Sequence, residues 1–293
     1  MSESAPAQQP PDALARAIRR LELQYEAASR IGASLDATRT AQDVADLLVP
    51  EVGDFAFVSL AEAVLTGDEP PRGGIRARQP IQRAAATRSA GPWPARMIMP
   101  GSPVPPLPDT PEVRAVLGGG PVLVLDSAQI QAALRDPDLT RLLVPPGVLS
   151  VIAAPLYARG ALLGSVVVWR TASWPGGAPF DGEDVRLLQE IASRASLGVD
   201  NARRYTRERR TAVALQQSLL PREHTETAAA ETAGAYLPSG GDAGVGGDWF
   251  DVRDRATPGR PSGDADARLQ PQRALSGTDA GSVGRAQHGL LRS

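Results

Sequence analysis

The chain has 293 residues, of which 42% are hydrophobic and 22% charged, with a formal net charge of −2; it is long enough for one or two domains that each bury a core. The charge is spread without a basic stripe and no apolar run approaches the roughly 20 residues of a membrane helix, which argues against a nucleic-acid or membrane partner. There is no cysteine and no lysine, which excludes disulfides, thiolate metal sites, a cysteine nucleophile, a thioether-linked chromophore, a Walker-type phosphate loop and Schiff-base chemistry.

Residues 1–11 are polar and proline-rich, without the basic start and apolar run of a secretory signal; they are expected to be disordered and the chain cytoplasmic. From Asp12 to Leu35 the apolar positions Leu14, Ile18, Leu21, Tyr25, Ala28, Ile31 and Leu35 recur at spacings of mostly four and three, a helix with a narrow seam that either packs on its own domain or self-associates. A second helical pattern, Thr40 to Val49, ends at Pro50, and Asp54 to Leu60 has the aromatic and β-branched content of a strand. The stretch from Leu65 to Pro121 is rich in proline, glycine and arginine. Short strands are expected around Ile75 to Ala85, a short helix over Pro111 to Leu117, and a short strand over Pro121 to Leu125.

Val148 to Tyr157 and Ala161 to Arg170 are apolar runs joined by Ala158-Arg159-Gly160, an antiparallel hairpin whose Val166 to Trp169 segment is expected to be buried on both faces. Asp181 is placed as the N-cap of a following helix, with Glu183 and Asp184 favouring its dipole. The stripe Leu188, Ile191, Ala195, Gly198, Ala202, Tyr205, Ala212 and Leu219 carries that helix to a stop at Pro221. At 1.5 Å per residue, a helix of about 40 residues spans roughly 60 Å, so its second half is expected to act as a connector. The stripe's length and small residues predict a homodimer paired through this exit helix and the N-terminal helix. Residues 253–293 hold few large apolar side chains and no periodicity, so disorder is expected there.

The order helix, helix, strand, irregular middle, hairpin and long exit helix resembles the GAF domain, an α/β (α+β) sensor with an antiparallel sheet flanked by helices. Pro155-Leu156, Arg159-Gly160 and Leu163-Gly164 in the hairpin, Phe180 to Asp184 before the last helix, and Val199 to Tyr205 along it are similar to GAF domains of actinobacterial regulators. The resemblance covers residues 12–205. It implies a sensory role but specifies no ligand; the irregular middle is where a binding loop belongs. Phe55, Phe57, Trp93 and Trp169 are candidate pocket walls, with core packing the stronger reading for each. Both histidines, His224 and His288, lie beyond residue 205, so no histidine-ligated haem is expected in this domain.

After a helical linker at 206–221, residues 222–252 resemble the start of the sporulation-type branch of PPM metal-dependent serine/threonine phosphatases. Ala214 to Pro221, Ala235 to Pro238 and Val245-Gly246-Gly247-Asp248-Trp249-Phe250-Asp251 carry that resemblance. It implies two Mn²⁺ or Mg²⁺ ions, oxygen-ligated and activating a water for in-line attack, and a phosphorylated anti-sigma-factor antagonist as substrate. Asp248 matches the first acidic position at the metal cluster and Asp251 the next. The Asp-x-x-Gly-His-Gly segment and two later aspartates of the family have no counterpart in the sequence, so metal binding is expected to be weak and no catalytic set is complete. A truncated catalytic domain, with 253–293 as a frameshifted tail, is the expectation. A regulatory module, a working phosphatase with a divergent metal site and a non-catalytic dimeric interaction protein are the competing functions.

Overall fold

The structure, a computed structural model, describes residues 11–70, 75, 79–175 and 177–219. Asp248, Asp251, both histidines and the segment 253–293 lie outside these, so expectations about them fall on undescribed residues. Residues up to Arg209 form one compact unit, and Arg210 begins a second. In chain order the elements are α1 (Pro11–Arg30), α2 (Ala37–Leu48), β1 (Phe55–Ala61), α3 (Glu62–Thr66), β2 (Ile81–Arg88) and α4 (Pro111–Leu117). There follow β3 (Leu123–Asp126), α5 (Ser127–Leu134), α6 (Pro137–Leu143), β4 (Val148–Ala158), β5 (Ala161–Thr171) and α7 (Gly182–Leu219).

The five strands form one sheet in the order β2-β1-β5-β4-β3, each neighbouring pair antiparallel. The predicted hairpin is its centre: Ala158 pairs with Ala161 across Arg159 and Gly160, both at positive φ, the backbone that matches strand twist in a two-residue turn. At Gly164 an added Cβ would lie 2.0 Å from the Ser59 carbonyl oxygen, so only glycine lets β5 approach β1 this closely. Side chains alternate across the pleat. Ala56, Val58, Leu60, Ile152, Val166 and Val168 join Val44 and Leu48 of α2 and Leu188, Ile191 and Ala195 of α7 in one core. Phe55, Phe57, Val151 and Trp169 join Ile130 of α5 and Leu139 and Leu143 of α6 in the other.

The start of α7 follows its sequence signals. The amides of Glu183 and Asp184 donate to Asp181 Oδ1 at 2.8 and 2.9 Å, and the Asp181 amide donates back to Asp184 at 3.0 Å, satisfying otherwise orphaned groups. Arg20 of α1 pairs with Glu183 and lies 3.5 Å from Asp184, while Gln24 donates to Glu190 at 2.6 Å. Further along, Gly198 faces Gly32. The rising numbers on both sides show α1 and the chain after it running alongside α7 in the same direction.

Two expectations are corrected here. Leu188, Ile191, Ala195, Gly198 and Ala202 do not form an intermolecular seam; they are buried within the chain's own core, because the exit helix supplies one layer of the sandwich. On α1 the core takes Leu23 and Ala27 instead of the predicted stripe. Leu14, Ile18, Leu21 and Tyr25 are 56%, 47%, 65% and 77% exposed. The periodicity of that stripe is real, but it faces away from the domain.

Candidate functional site

The second face of the sheet floors a cavity of about 160 Å³. Register builds this face in rows, since residues paired across strands share a face. Arg83, Ser59 and Ser165 form one row, Ala86, Phe57, Val167, Ala153 and Leu123 the next, and Phe55, Trp169, Val151 and Leu125 a third. A bulge at Val58/Ser59 sets the first row: it slips the β1–β2 register so that Ser59 opposes Arg83. Val104 and Leu107 from the segment between β2 and α4, Val113 and Leu117 of α4, and Ile130 and Leu134 of α5 complete the walls.

These walls are positioned by local capping. Thr110 caps α4 through the Val113 amide, and its hydroxyl donates to the Ala133 carbonyl of α5 at 3.1 Å. Asp126 and Gln129 form a reciprocal capping box on α5, and Asp136 accepts from the Asp138 and Leu139 amides of α6. The segment 101–104 lies against the outer edge of β2: Arg83 N donates to Ser102 O at 2.9 Å and Val104 N to Ile81 O at 2.7 Å.

Arg83 is the unusual lining group. Its side chain crosses the floor with Cζ 4.1 Å from the Phe57 ring centroid, and the residue is only 4% exposed. Nε and Nη1 have no hydrogen-bond partner among the described residues. Burial lowers its pKa from the ordinary guanidinium value to about 10, because a desolvated cation favours its neutral form. The Trp169 indole Nε1, two rows along, is likewise buried without a partner among the described residues. The cavity thus has a mostly apolar wall, with a buried, unpaired guanidinium among its lining residues. Glu112, half-buried on α4, also lines it.

The family model of the GAF domain matches residues 36–199, more than half of the chain and the span from the cap of α2 into α7. The chain belongs to the GAF domain family. Among solved structures, the GAF domain of a phosphoenolpyruvate-protein phosphotransferase from Coxiella burnetii is 13% identical, with a TM-score of 0.46 over 64% of this chain and 96% of that one. A phycoerythrobilin-bound GAF domain from a cyanobacterial phytochrome is 17% identical, with a TM-score of 0.42 over 62% and 95% of the two chains. Free methionine-R-sulfoxide reductase from Neisseria meningitidis is 15% identical, with a TM-score of 0.41 over 68% and 96%. No curated protein matches the chain.

Within this GAF domain the sequence-predicted pocket walls divide. Phe57 and Trp169 line the cavity. Phe55 and Trp93 stack with Phe57 in an aromatic cluster, at centroid distances of 6.3 and 5.8 Å, and serve as packing. The irregular middle supplies Val104 and Leu107 to one wall. Arg83, α5 and α6 were not anticipated; the Asp126/Gln129 and Asp136-Pro137 capping signals were there to be read. Among the described residues no group of three or more histidines or carboxylates is disposed to hold a metal, and no helix is long and apolar enough to cross a membrane.

Proposed function

We propose that this chain is the sensory and regulatory part of a signalling protein, with a small molecule in the cavity as its input and α7 as its output element. The observation that carries this is the alternation along β5. Val167 and Trp169 line the cavity, while Val166 and Val168 belong to the core that holds Leu188 and Ile191 of α7. A ligand that displaces β5 on one face therefore alters the packing of α7 on the other, since close-packed cores transmit strain rather than absorb it. Thermal-shift screening of the purified chain tests this. A ligand that binds only the folded state raises the melting temperature, and a screen of nucleotides and small apolar metabolites without a hit would count against it.

The output we infer is a PPM-type metal-dependent phosphatase acting on a phosphorylated anti-sigma-factor antagonist, on the resemblance of Ala214 to Asp251 to the start of that domain. Asp248 and Asp251 are its acidic positions, with Mn²⁺ or Mg²⁺ the implied metals. Two carboxylates leave most of a coordination shell to water, so this chain is expected to regulate rather than hydrolyse. Phosphate release from a phosphoserine peptide should be no faster with Mn²⁺ than without; Mn²⁺-dependent release would favour the working-phosphatase reading. A homodimer completes the proposal, because the outward seam of α1 presents Leu14, Ile18, Leu21 and Tyr25 at coiled-coil spacing.

A further inference from the structure

The geometry points to a small carboxylate with a compact apolar body, a single ring or a short branched chain, as the ligand of the cavity, held at its charged end by Arg83. This rests on the small-molecule reading above and narrows it to one chemical class.

Three observations converge on that class. The first is charge: Arg83 is 4% exposed, and no carboxylate among the described residues makes an ion pair with it. Buried cations are ordinarily paired, because desolvation is costly without a counter-charge. The Phe57 ring under the guanidinium attracts it from one side but accepts none of the in-plane N–H groups, which is where a carboxylate binds.

The second is the sense of the unmet hydrogen bonds. Arg83 Nε and Nη1 and Trp169 Nε1 are all donors, all buried, and all belong to residues lining the same cavity. Ser59 and Ser165 lie on Arg83's own cross-strand row. A ligand that supplies acceptors and no donors matches the two Arg83 groups, and a carboxylate does so with two oxygens.

The third is size and lining. A cavity of about 160 Å³ is close to the roughly 150 Å³ that holds benzene in an apolar protein site, and most of its wall is valine, leucine and isoleucine. A bare inorganic anion would leave the apolar wall unfilled. The like-charged group facing the site is Glu112, on the α4 wall; it opposes an anion and does not replace Arg83.

The test is calorimetric titration and thermal shift of the full chain with benzoate and 4-methylpentanoate, against benzamide, benzyl alcohol and inorganic phosphate, repeated with Arg83→Met and Arg83→Gln. Both carboxylates are expected to bind and to raise the melting temperature, with the neutral analogues roughly tenfold or more weaker. Either Arg83 variant should lose that preference while still binding benzyl alcohol, and near-UV circular dichroism checks that each is folded. The Glu112→Gln variant should bind benzoate no more weakly than the wild type. Equal binding of neutral and charged probes, unchanged benzoate affinity in both folded Arg83 variants, or loss of benzoate binding in Glu112→Gln would overturn the carboxylate assignment and leave the small-molecule pocket standing. Phosphate binding without benzoate binding would replace it with an inorganic-anion site. No binding by any probe would remove the pocket reading itself.

Discussion

A guanidinium that the fold desolvates without giving Nε or Nη1 an acceptor weakens the ligand-free protein. Burial lowers the Arg83 guanidinium to about 10, a cost to the charged folded form of about 3 kcal/mol at about 1.4 kcal/mol per pH unit. The sign follows from proton counting. Below about pH 10 both states are protonated and the cost is fully present; above about 10 the folded state sheds its proton before the unfolded one, so stability rises with pH. Arg83→Met should therefore stabilise the ligand-free protein at neutral pH by ~1–2 kcal/mol, after subtracting ~1–2 kcal/mol for the lost contact with Phe57. Urea denaturation checks this, and the gap should narrow above about pH 10; a variant less stable than the wild type at pH 7 would show that the charge is compensated. Gly164→Ala should destabilise by ~2–4 kcal/mol, since its Cβ cannot coexist with the Ser59 carbonyl without moving β5. Arg83 was not legible in the sequence for a physical reason. It is one arginine in an arginine-rich stretch, its strand lacks a strong apolar alternation, and the bulge in β2 that places it opposite Ser59 leaves no local trace.

Among the elements, the hairpin, the capped start of α7 and the Pro111–Leu117 helix were readable because their signals are local: a turn, an Asp cap, a Pro at the first helical position. Strand β2 emerged later than expected, at Ile81–Arg88, because the edge strand's pairing depends on β1. Helices α5 and α6 were missed since each is a short helix of two turns with only two buried side chains, too little for a periodic stripe. The stripe on α1 teaches a different limit. Periodicity tells which residues share a face, while the choice of face belongs to the partner, and the core buries the face at Leu23 and Ala27. The outward seam then predicts self-association. Leu21→Glu and Tyr25→Glu together should leave the fold within about 0.5 kcal/mol of the wild type, as exposed positions do, yet turn a dimer into a monomer in sedimentation. Ile191→Glu, by contrast, should unfold the domain, because the carboxylate would enter the core. A wild-type chain that sediments as a monomer at tens of micromolar would sink the dimer.

At the scale of the molecule the GAF sheet separates two cores that share β5. Filling the cavity should restrict the side chains of Val167 and Trp169, and Val166 and Val168, held by the same backbone, should pass that restriction to Leu188, Ile191 and Ala195. Gly164 lets β5 lie close against β1, and the helix layer packs on the face of β5 opposite the cavity. The buried Arg170 reinforces this path: it sits on β5, pairs with Asp184 of α7 at 3.0 Å and donates to the Val52 carbonyl at 3.0 Å. Hydrogen exchange on the full chain, with and without a saturating cavity ligand, reads this relay. Amides of β5 should slow because the ligand stabilises the closed state, and those of α7 from Asp184 through Ala202 should change with them. Arg170→Met should uncouple the two, preserving ligand affinity and the slowing in β5 while the change in α7 is lost. Protection confined to β5 in the wild type would mean that the two cores are mechanically independent and that α7 is no output element.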